Sequence, residues 1–515
     1  MSRSIALGTP VLGGLLSRCS LPLIVRAGAA ITVALVPFLA YAINILHSFY
    51  DVGNAFHDAG WSAYLIHDGD LLLHQPLFVE GGISWFNLHV SPVFVVTSAL
   101  GSLVPLTRIQ FYAAYVGISH ALPAIAVFWL LTSGYRMTRP AACLMAAALA
   151  LFFAFDGLAL AIARFPHFMM FLVGTGMMFL AALALRRIGI ALVFFVLCLG
   201  TREDAGFHLF ALLSLSLIWQ WWQGASWREQ RPTVAFALAG LLYSAIVVSL
   251  QHVLAGEHSL LTSEYLGSRP FADMSLYTMG ERFLGWMVFR GYVMLPALAA
   301  LIWAIARRNP QVILGYAAFV PWGILHLAAA RDMQGVLPSY YAFPYMFASF
   351  WPLAGLLIQR QHSPDDRSIL EPIGGFALLT LASFAPSPNQ HNPAHIDLPA
   401  GFAALPSAAR QAATDQALGR LGRTTALGRV MVDQSVLALT PEFYRGEQVL
   451  SLTSTPRDLD GVIYFARGLQ SPLARETAAS TGLDHLYRVP GTEIRVATKR
   501  PIAGLSGLAL LPAAD

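Results

Sequence analysis

Long apolar runs separated by short polar connectors dominate the chain, and their lengths are those of membrane-crossing helices. A spanning helix needs about 20 mostly apolar residues, and such runs lie near 22–46, 109–133, 140–163, 167–185, 188–200, 205–223, 232–254, 284–306, 311–330, 338–359 and 371–387. The pattern predicts a mainly α protein, a polytopic transmembrane bundle of about eleven helices, in which 188–200 is the shortest crossing. The stretch Val90 to Leu106 is apolar too, but it is short and bracketed by Pro92 and Pro105. After Pro388 the pattern changes. A linker at 388–400 rich in Pro, Asn and His leads into short apolar runs at Arg429–Asp433, Gln448–Leu452, Gly461–Phe465 and Glu493–Thr498, which read as strands, and Leu473–Ser480, which reads as a helix. The expected organisation is a membrane domain over 1–387 with one long external loop at 48–108, and a small soluble α/β domain over 401–515.

Charge decides whether 90–106 spans. Cytoplasmic loops of membrane proteins carry the excess of Arg and Lys. If 90–106 does not cross, then Arg136 and Arg139, Arg186 and Arg187, Arg228 and Arg231, Arg307 and Arg308, and Arg360 and Arg367 all share a side with the basic N-terminus. That makes 90–106 an interfacial or re-entrant segment, the N-terminus cytoplasmic and the tail extracytoplasmic. Arg3 and Arg18 before the first run and Arg26 near its start come with no small-residue cleavage site, so the first helix is expected to stay uncleaved.

Composition removes several classes of function. Hydrophobic residues make up 56% of the 515 and charged residues 12%, far from the soluble norm. Thirty-two basic residues against 28 acidic ones is too even a balance for nucleic acid. Cys19, Cys143 and Cys198 have neither disulfide nor zinc-ligand spacing. Walker, dinucleotide, HExxH and nucleophile-elbow motifs are all missing from the sequence.

What remains is an island of acid and imidazole. Ser48–Pro92 holds Asp51, Asp58, Asp68, Asp70 and Glu80 beside His57, His67, His74 and His89, with no Lys or Arg. A helix continuing past Ile45 would align His47, Asp51, Asn54 and Asp58 on one face. Two corners on the same expected side add Arg164 with His167, and Arg202, Glu203 and Asp204 followed by His208. Charges at the hydrocarbon edge are costly, so they face a protein interior or a wet cavity. Arg grips phosphate through a planar fork, which makes Arg164, Arg202, Arg282 and Arg331 candidate binders of a phosphate group. The competing account is structural: an Arg164 to Asp204 lock between helices, His89 as an interfacial anchor, and Tyr340 and Tyr341 as part of an aromatic belt. The loop from Glu257 to Arg282 is a candidate lid or an ordinary connector.

The order Phe49-Tyr50-Asp51-Val52-Gly53, Asn87-Leu88-His89-Val90-Ser91-Pro92, Arg164-Phe165-Pro166-His167 and Arg202-Glu203-Asp204 resembles a bacterial polytopic membrane-protein family of unknown function. That family shows a Tyr-Asp-Leu-Gly-like step, a His-x-Ser-Pro step and a Glu-Asp pair in this order. Val52 replaces the usual Leu, and the match is weak around Phe165–Phe168, which bears on His167. In layout the family is similar to the GT-C glycosyltransferases, integral enzymes that use polyprenyl-phosphate sugars on the extracytoplasmic face. The resemblance implies a multi-pass protein of the bacterial inner membrane. It also implies a lipid-linked sugar donor, contact with membrane lipid, no nucleic acid, and an acceptor that the sequence does not name. Asp51 then stands where the acceptor's proton would be taken. Glu203 and Asp204 stand as catalytic carboxylates orienting an arginine or holding a divalent cation, and His57, Asp58, His89, Arg164, His167, Arg202, Arg282 and Arg331 line the substrate site. No metal ligand set and no certain cofactor follows. A transporter or flippase, and a non-catalytic assembly protein, are the alternatives.

Overall fold

A computed structural model describes residues 21–50, 57–71, 84–164, 167–255, 261–267, 275–362, 370–384, 405–422, 427–440, 443, 449–451, 458–466, 468, 470–502 and 509–510. Asp51, Asn54, Glu80, Glu257, His258 and the 388–400 linker lie outside these residues, so the expected His47–Asp58 stripe has only its two ends on view. The chain is a helical membrane bundle followed by a small mixed sheet. Among the described residues four helices are long and apolar enough to cross a membrane, or up to six if each bent pair counts as one span.

Helix α1 (Leu21–Tyr50) is followed by three short helices, α2 (His57–Asp68), α3 (Trp85–Leu88) and α4 (Val93–Gly101). At 1.5 Å per residue, the nine residues of α4 reach about 14 Å, roughly half of a bilayer core. The helix in the 90–106 segment is therefore too short to span a bilayer core by itself, in keeping with the expected interfacial or re-entrant placement. Its start is pinned by the Val93 amide, which donates to Gly200 O at 2.8 Å. Return passes follow in α5 (Arg108–Trp129), extended by a π turn at Leu130–Gly134, and in the pair α6 (Pro140–Ala154) and α7 (Gly157–Ala163). Buried Asp156 breaks that pair by 45° and caps α7 by accepting from Ala159 N.

Helices α8 (Met169–Ala184), α9 (Ile188–Leu199), α10 (Ala205–Trp222) and α11 (Trp227–Ala255) continue the bundle. Helix α8 is its buried heart, whereas α9 turns Leu192, Val193 and Val196 outward. Exposed aliphatics are unremarkable where the solvent is lipid.

The expected span at 284–306 is corrected. Helices α12 (Leu276–Phe289) and α13 (Gly291–Arg307) meet at 92°. The buried Arg290 sits at the corner and donates Nε to Leu337 O at 2.7 Å, a bond that a straight apolar span has no reason to make. The run at 311–330 is likewise broken, into a 3-10 turn at Pro310–Val312, α14 (Leu314–Ala318) and α15 (Val320–Leu327), with Pro310 and Pro321 at the breaks. Helix α16 (Asp332–Gly335) leads through Ser339–Ala342 into α17 (Pro344–His362), and α18 (Leu370–Ala382) follows.

Contacts sort the connectors into two ends. At one end Arg26 reaches Ser133, Arg360 lies over the Tyr135 ring, Arg307 pairs with Glu371, and Asn309 bonds Gln359. These are the basic connectors that the charge pattern groups together. Arg136, Arg186 and Arg308 there close helices in the left-handed region, with φ of 55°, 57° and 49°. The polar corners lie at the other end.

In the tail, α19 (Ala408–Gly422) precedes β1 (Val430–Val432), α20 (Gln434–Leu439), β2 (Val449–Ser451), β3 (Gly461–Phe465), α21 (Ser471–Ser480), β4 (His485–Arg488), β5 (Ile494–Thr498) and β6 (Ala509–Leu510). The sheet order is β2-β1-β3-β5-β4-β6. β1 is parallel to both β2 and β3, with Val430 opposite Val449 and Gly461, and the other pairings are antiparallel. The four expected strands are present. β4 and β6 were not foreseen, because β4 alternates polar residues and β6 has only two residues.

Candidate active site

The Arg202 corner lies between α9 and α10, where α9 ends at Leu199 and Asp204 occupies the N-cap position of α10. Three consecutive charged residues at a helix start all turn inward, and Arg202 is only 2% exposed. Its Nε stands 3.0 Å from Asp204 Oδ1 and 3.4 Å from Glu203 Oε1, and one terminal nitrogen donates to Met169 Sδ at 3.1 Å. The Asp204 contact is close but not aligned as a hydrogen bond, so charge holds it. The guanidinium also lies over the rings of Trp322, Tyr341 and Phe343, at 5.6–5.8 Å.

Glu203 is fixed at both oxygens. His89 Nδ1 donates to Oε1 and the Val90 amide to Oε2, each at 3.0 Å. The carboxylate thus settles which His89 nitrogen carries the proton. His89 is buried among Trp85, Phe168 and His167, so it is not an interfacial anchor. Asp204 has Arg202 on one side and His208 Nε2 at 3.5 Å on the other. Burial works to raise its carboxyl, but Arg202 and His208 outweigh burial and hold it below the usual carboxylate range.

His167 joins this group from the start of α8. Its ring stacks on Tyr340 at 5.6 Å, and its Nδ1 is buried without a hydrogen-bond partner. Burial, with His89 and Arg202 nearby, pushes the imidazole down to about 3 and keeps it neutral. The Asp58 charge, in the first turn of α2, reaches His167, Tyr340 and Tyr341. Tyr340 and Tyr341 belong to this interior, with Tyr341 buried under Arg202, so the aromatic-belt expectation is corrected.

Next to the corner opens a cavity of about 280 Å3. Arg202, Glu203, Asp204, His208 and Gln251 supply its charged and amide lining, and Phe207, Val248, Phe319, Trp322 and Leu325 are among its apolar walls. Tyr265 adds a buried hydroxyl to the lining and donates to His326 Nε2 at 3.3 Å, while His326 Nδ1 donates to Gln334 O at 2.8 Å.

The other candidates are elsewhere. Arg282 donates to the carbonyls of Leu327 and Ala329 and pairs with Asp332, and Arg331 pairs with Glu264. Both tether the 261–335 region and neither lines the cavity. Arg164 is exposed at the end of α7, and the cation beside Asp204 is Arg202. His57 opens α2, and Asp51 lies outside the described residues. Among the described residues no three His, Cys, Asp or Glu converge at metal-binding spacing. Glu203 and Asp204 are committed to His89, Val90, Arg202 and His208, so they do not form a ready cation cage. Sequence reasoning missed Met169, Trp322 and His326, since aromatic and Met residues abound in every span and give no signal until folding gathers them, whereas Tyr265 belongs to the Glu257–Arg282 loop that the sequence marks as a candidate lid.

No family model matches the chain, and no curated protein matches it. Its path is similar to crystal structures of ArnT from Cupriavidus metallidurans. The apo form is 14% identical, covering 90% of this chain and 98% of that one at a TM-score of 0.40. The form bound to undecaprenyl phosphate is 15% identical, covering 92% and 99% at 0.41. The apo oligosaccharyltransferase of Archaeoglobus fulgidus is 10% identical, covering 96% and 76% at 0.35. No functional conclusion rests on overlaps this loose.

Proposed function

We propose that the chain is an integral-membrane glycosyltransferase that moves a sugar from a polyprenyl-phosphate donor to an acceptor on the extracytoplasmic face of the bacterial inner membrane. One observation carries the reading: a buried arginine, bracketed by two carboxylates, on the polar side of an otherwise apolar cavity at one end of the bundle. Apolar walls suit the lipid's first isoprene units, and a guanidinium suits the phosphate that joins lipid to sugar.

The acceptor oxygen attacks the anomeric carbon, the bond from that carbon to the phosphate oxygen breaks, and the polyprenyl phosphate leaves with the electron pair. Arg202 offsets the charge that grows on the leaving phosphate. A carboxylate takes the acceptor's proton, and Asp51 is assigned that role, with Asp58 next to the His167 and Tyr340 side of the site. Glu203 and Asp204 orient the guanidinium.

The test offers purified protein a panel of polyprenyl-phosphate sugars and compares Asp51→Asn with wild type. Turnover by wild type and its loss in the variant is the expected result. Unchanged turnover in Asp51→Asn removes Asp51 as the base, and no turnover with any donor removes the transferase reading.

A further inference from the structure

The C-terminal domain touches the membrane domain at places that bracket residues 51–56. On one side Tyr50, the last residue of α1, donates its hydroxyl to the Asp415 carboxylate on α19, at 3.0 and 2.9 Å from the two oxygens. On the other side α20 lies against α2. The approach is so close that a Cβ placed on Gly60 would fall inside the backbone of Ala438. A third tie runs from Gln110, in the first turn of α5, to Gln411 at 3.0 Å.

Burial on both elements shows that this contact is part of the fold. Residues Ser435–Leu439 of α20 are all buried, and so is α2 from Ala59 to Ile66. A twelve-residue helix is marginal alone in water. Trp61 covers one side of α2 by meeting Trp85 at 5.1 Å, and the C-terminal domain covers another. The sheet presents an end suited to gripping. Helix α20 starts straight after β1, the strand flanked by parallel neighbours, and the carboxyl ends of parallel strands are where α/β sheets bind ligands. Here that end holds α2.

We infer that the C-terminal domain is a clamp on α2 and the end of α1, with Gly60 and Ala438 as positioning residues that set where Asp58 stands relative to His167 and Tyr340. The catalytic consequence rests on the transferase reading, whereas the clamp itself does not. Loosening it lets α2 shift and fray, so the reacting groups lose their mutual placement. The donor cavity, walled by α10, α11 and α15, is left intact.

The experiment uses the full chain in lipid nanodiscs and reads each variant on the opposite surface by amide hydrogen exchange. Ala438→Leu is read on Ala59–Ile66, and Gly60→Ala is read on Val436–Leu439. Exchange at least about ten-fold faster than wild type is expected in both, with β3 and β5 still protected. Gly280→Ala, with nothing within 4 Å of the added Cβ, is the control. Unchanged exchange on the facing helix overturns the clamp. If Ala438→Leu also unprotects β3 and β5, the domain has unfolded and Gly60→Ala alone decides. For turnover, kcat of Gly60→Ala is expected to drop at least about ten-fold with the donor KM unchanged. Faster exchange with an unchanged kcat overturns the positioning role. A wild type that turns over no donor overturns the transferase reading, and the exchange result still decides the clamp.

Discussion

Arg202 sets the terms at the scale of single residues. A cation buried beside two carboxylates cannot be removed without leaving charge unpaired, at a cost of about 3–5 kcal/mol. Arg202→Met is therefore expected to misfold or melt far earlier than wild type. Arg202→Lys separates folding from function. It keeps the charge, but a compact ammonium cannot lie flat among Trp322, Tyr341 and Phe343 while also reaching the Met169 sulfur and the cavity. The expected outcome is a melting temperature within a few degrees of wild type and polyprenyl-phosphate binding weaker by about ten-fold or more. Binding at wild-type strength in Arg202→Lys removes the guanidinium as the phosphate holder. This residue was legible in the sequence because charge at a hydrocarbon edge is costly and so rarely idle. Its ring partners were not, because nothing local sets Trp322 apart from the exposed Trp221 and Trp222.

At the scale of elements, the cavity depends on how closely α10 and α11 approach. Gly206 faces Gly240 and Ser244, the Gly206 amide donates to Ser244 Oγ at 2.9 Å, and a Cβ at Gly206 would strike the Gly240 carbonyl. Small residues let membrane helices meet backbone to backbone. Gly206→Leu is expected to push the helices apart, lower the melting temperature by several degrees and weaken donor binding, since Phe207 and Val248 line the cavity from these two helices. Gly240→Ala meets its nearest atom at 3.1 Å and is expected to be milder. Equal effects in the two variants refute this account.

A second element, α20, is capped by Asp433, which accepts from Ser435 N and from Phe465 N. Burial raises this carboxyl from 3.8 to about 6. The unfolded chain therefore gives up the proton first as pH rises. The stability that the protonated group contributes is whole below about pH 4 and is lost by about pH 6, in full roughly 3 kcal/mol. Asp433→Asn cannot titrate, so its stability relative to wild type is expected to rise across that window. A constant difference between the two proteins from pH 4 to 7 refutes the assignment. The helical runs were readable as lengths, whereas the right-angle bend at Arg290 was not, since the tertiary bond to Leu337 decides it and leaves no mark on the apolar pattern.

At the scale of the whole molecule the question is which way the bundle faces. Helix α9 has only twelve residues, about 18 Å of rise, and would leave later loops on the wrong side if it failed to cross. The structure fixes its direction through bonds and not through length. The α9–α10 corner is tied to His89 and Val90 by Glu203, and to α4 by the Gly200 carbonyl, so it shares an end with the site. Helix α10 must then carry Arg228 back toward the end where Arg26, Arg307 and Arg360 gather. From the charge pattern that end is expected to be the cytoplasmic one. The tail is bonded to Tyr50 and Gln110 at the opposite end, the end that holds the site, and the expected orientation makes that end extracytoplasmic. A cysteine-free chain carrying one new thiol tests both claims at once. Asp484→Cys, on the exposed surface of the tail, is expected to react with an impermeant maleimide in intact spheroplasts, and Arg228→Cys only after lysis. Labelling of both in intact spheroplasts breaks the parity through α9 and α10. The reverse pattern turns the whole molecule over, and with it the face on which the chemistry occurs.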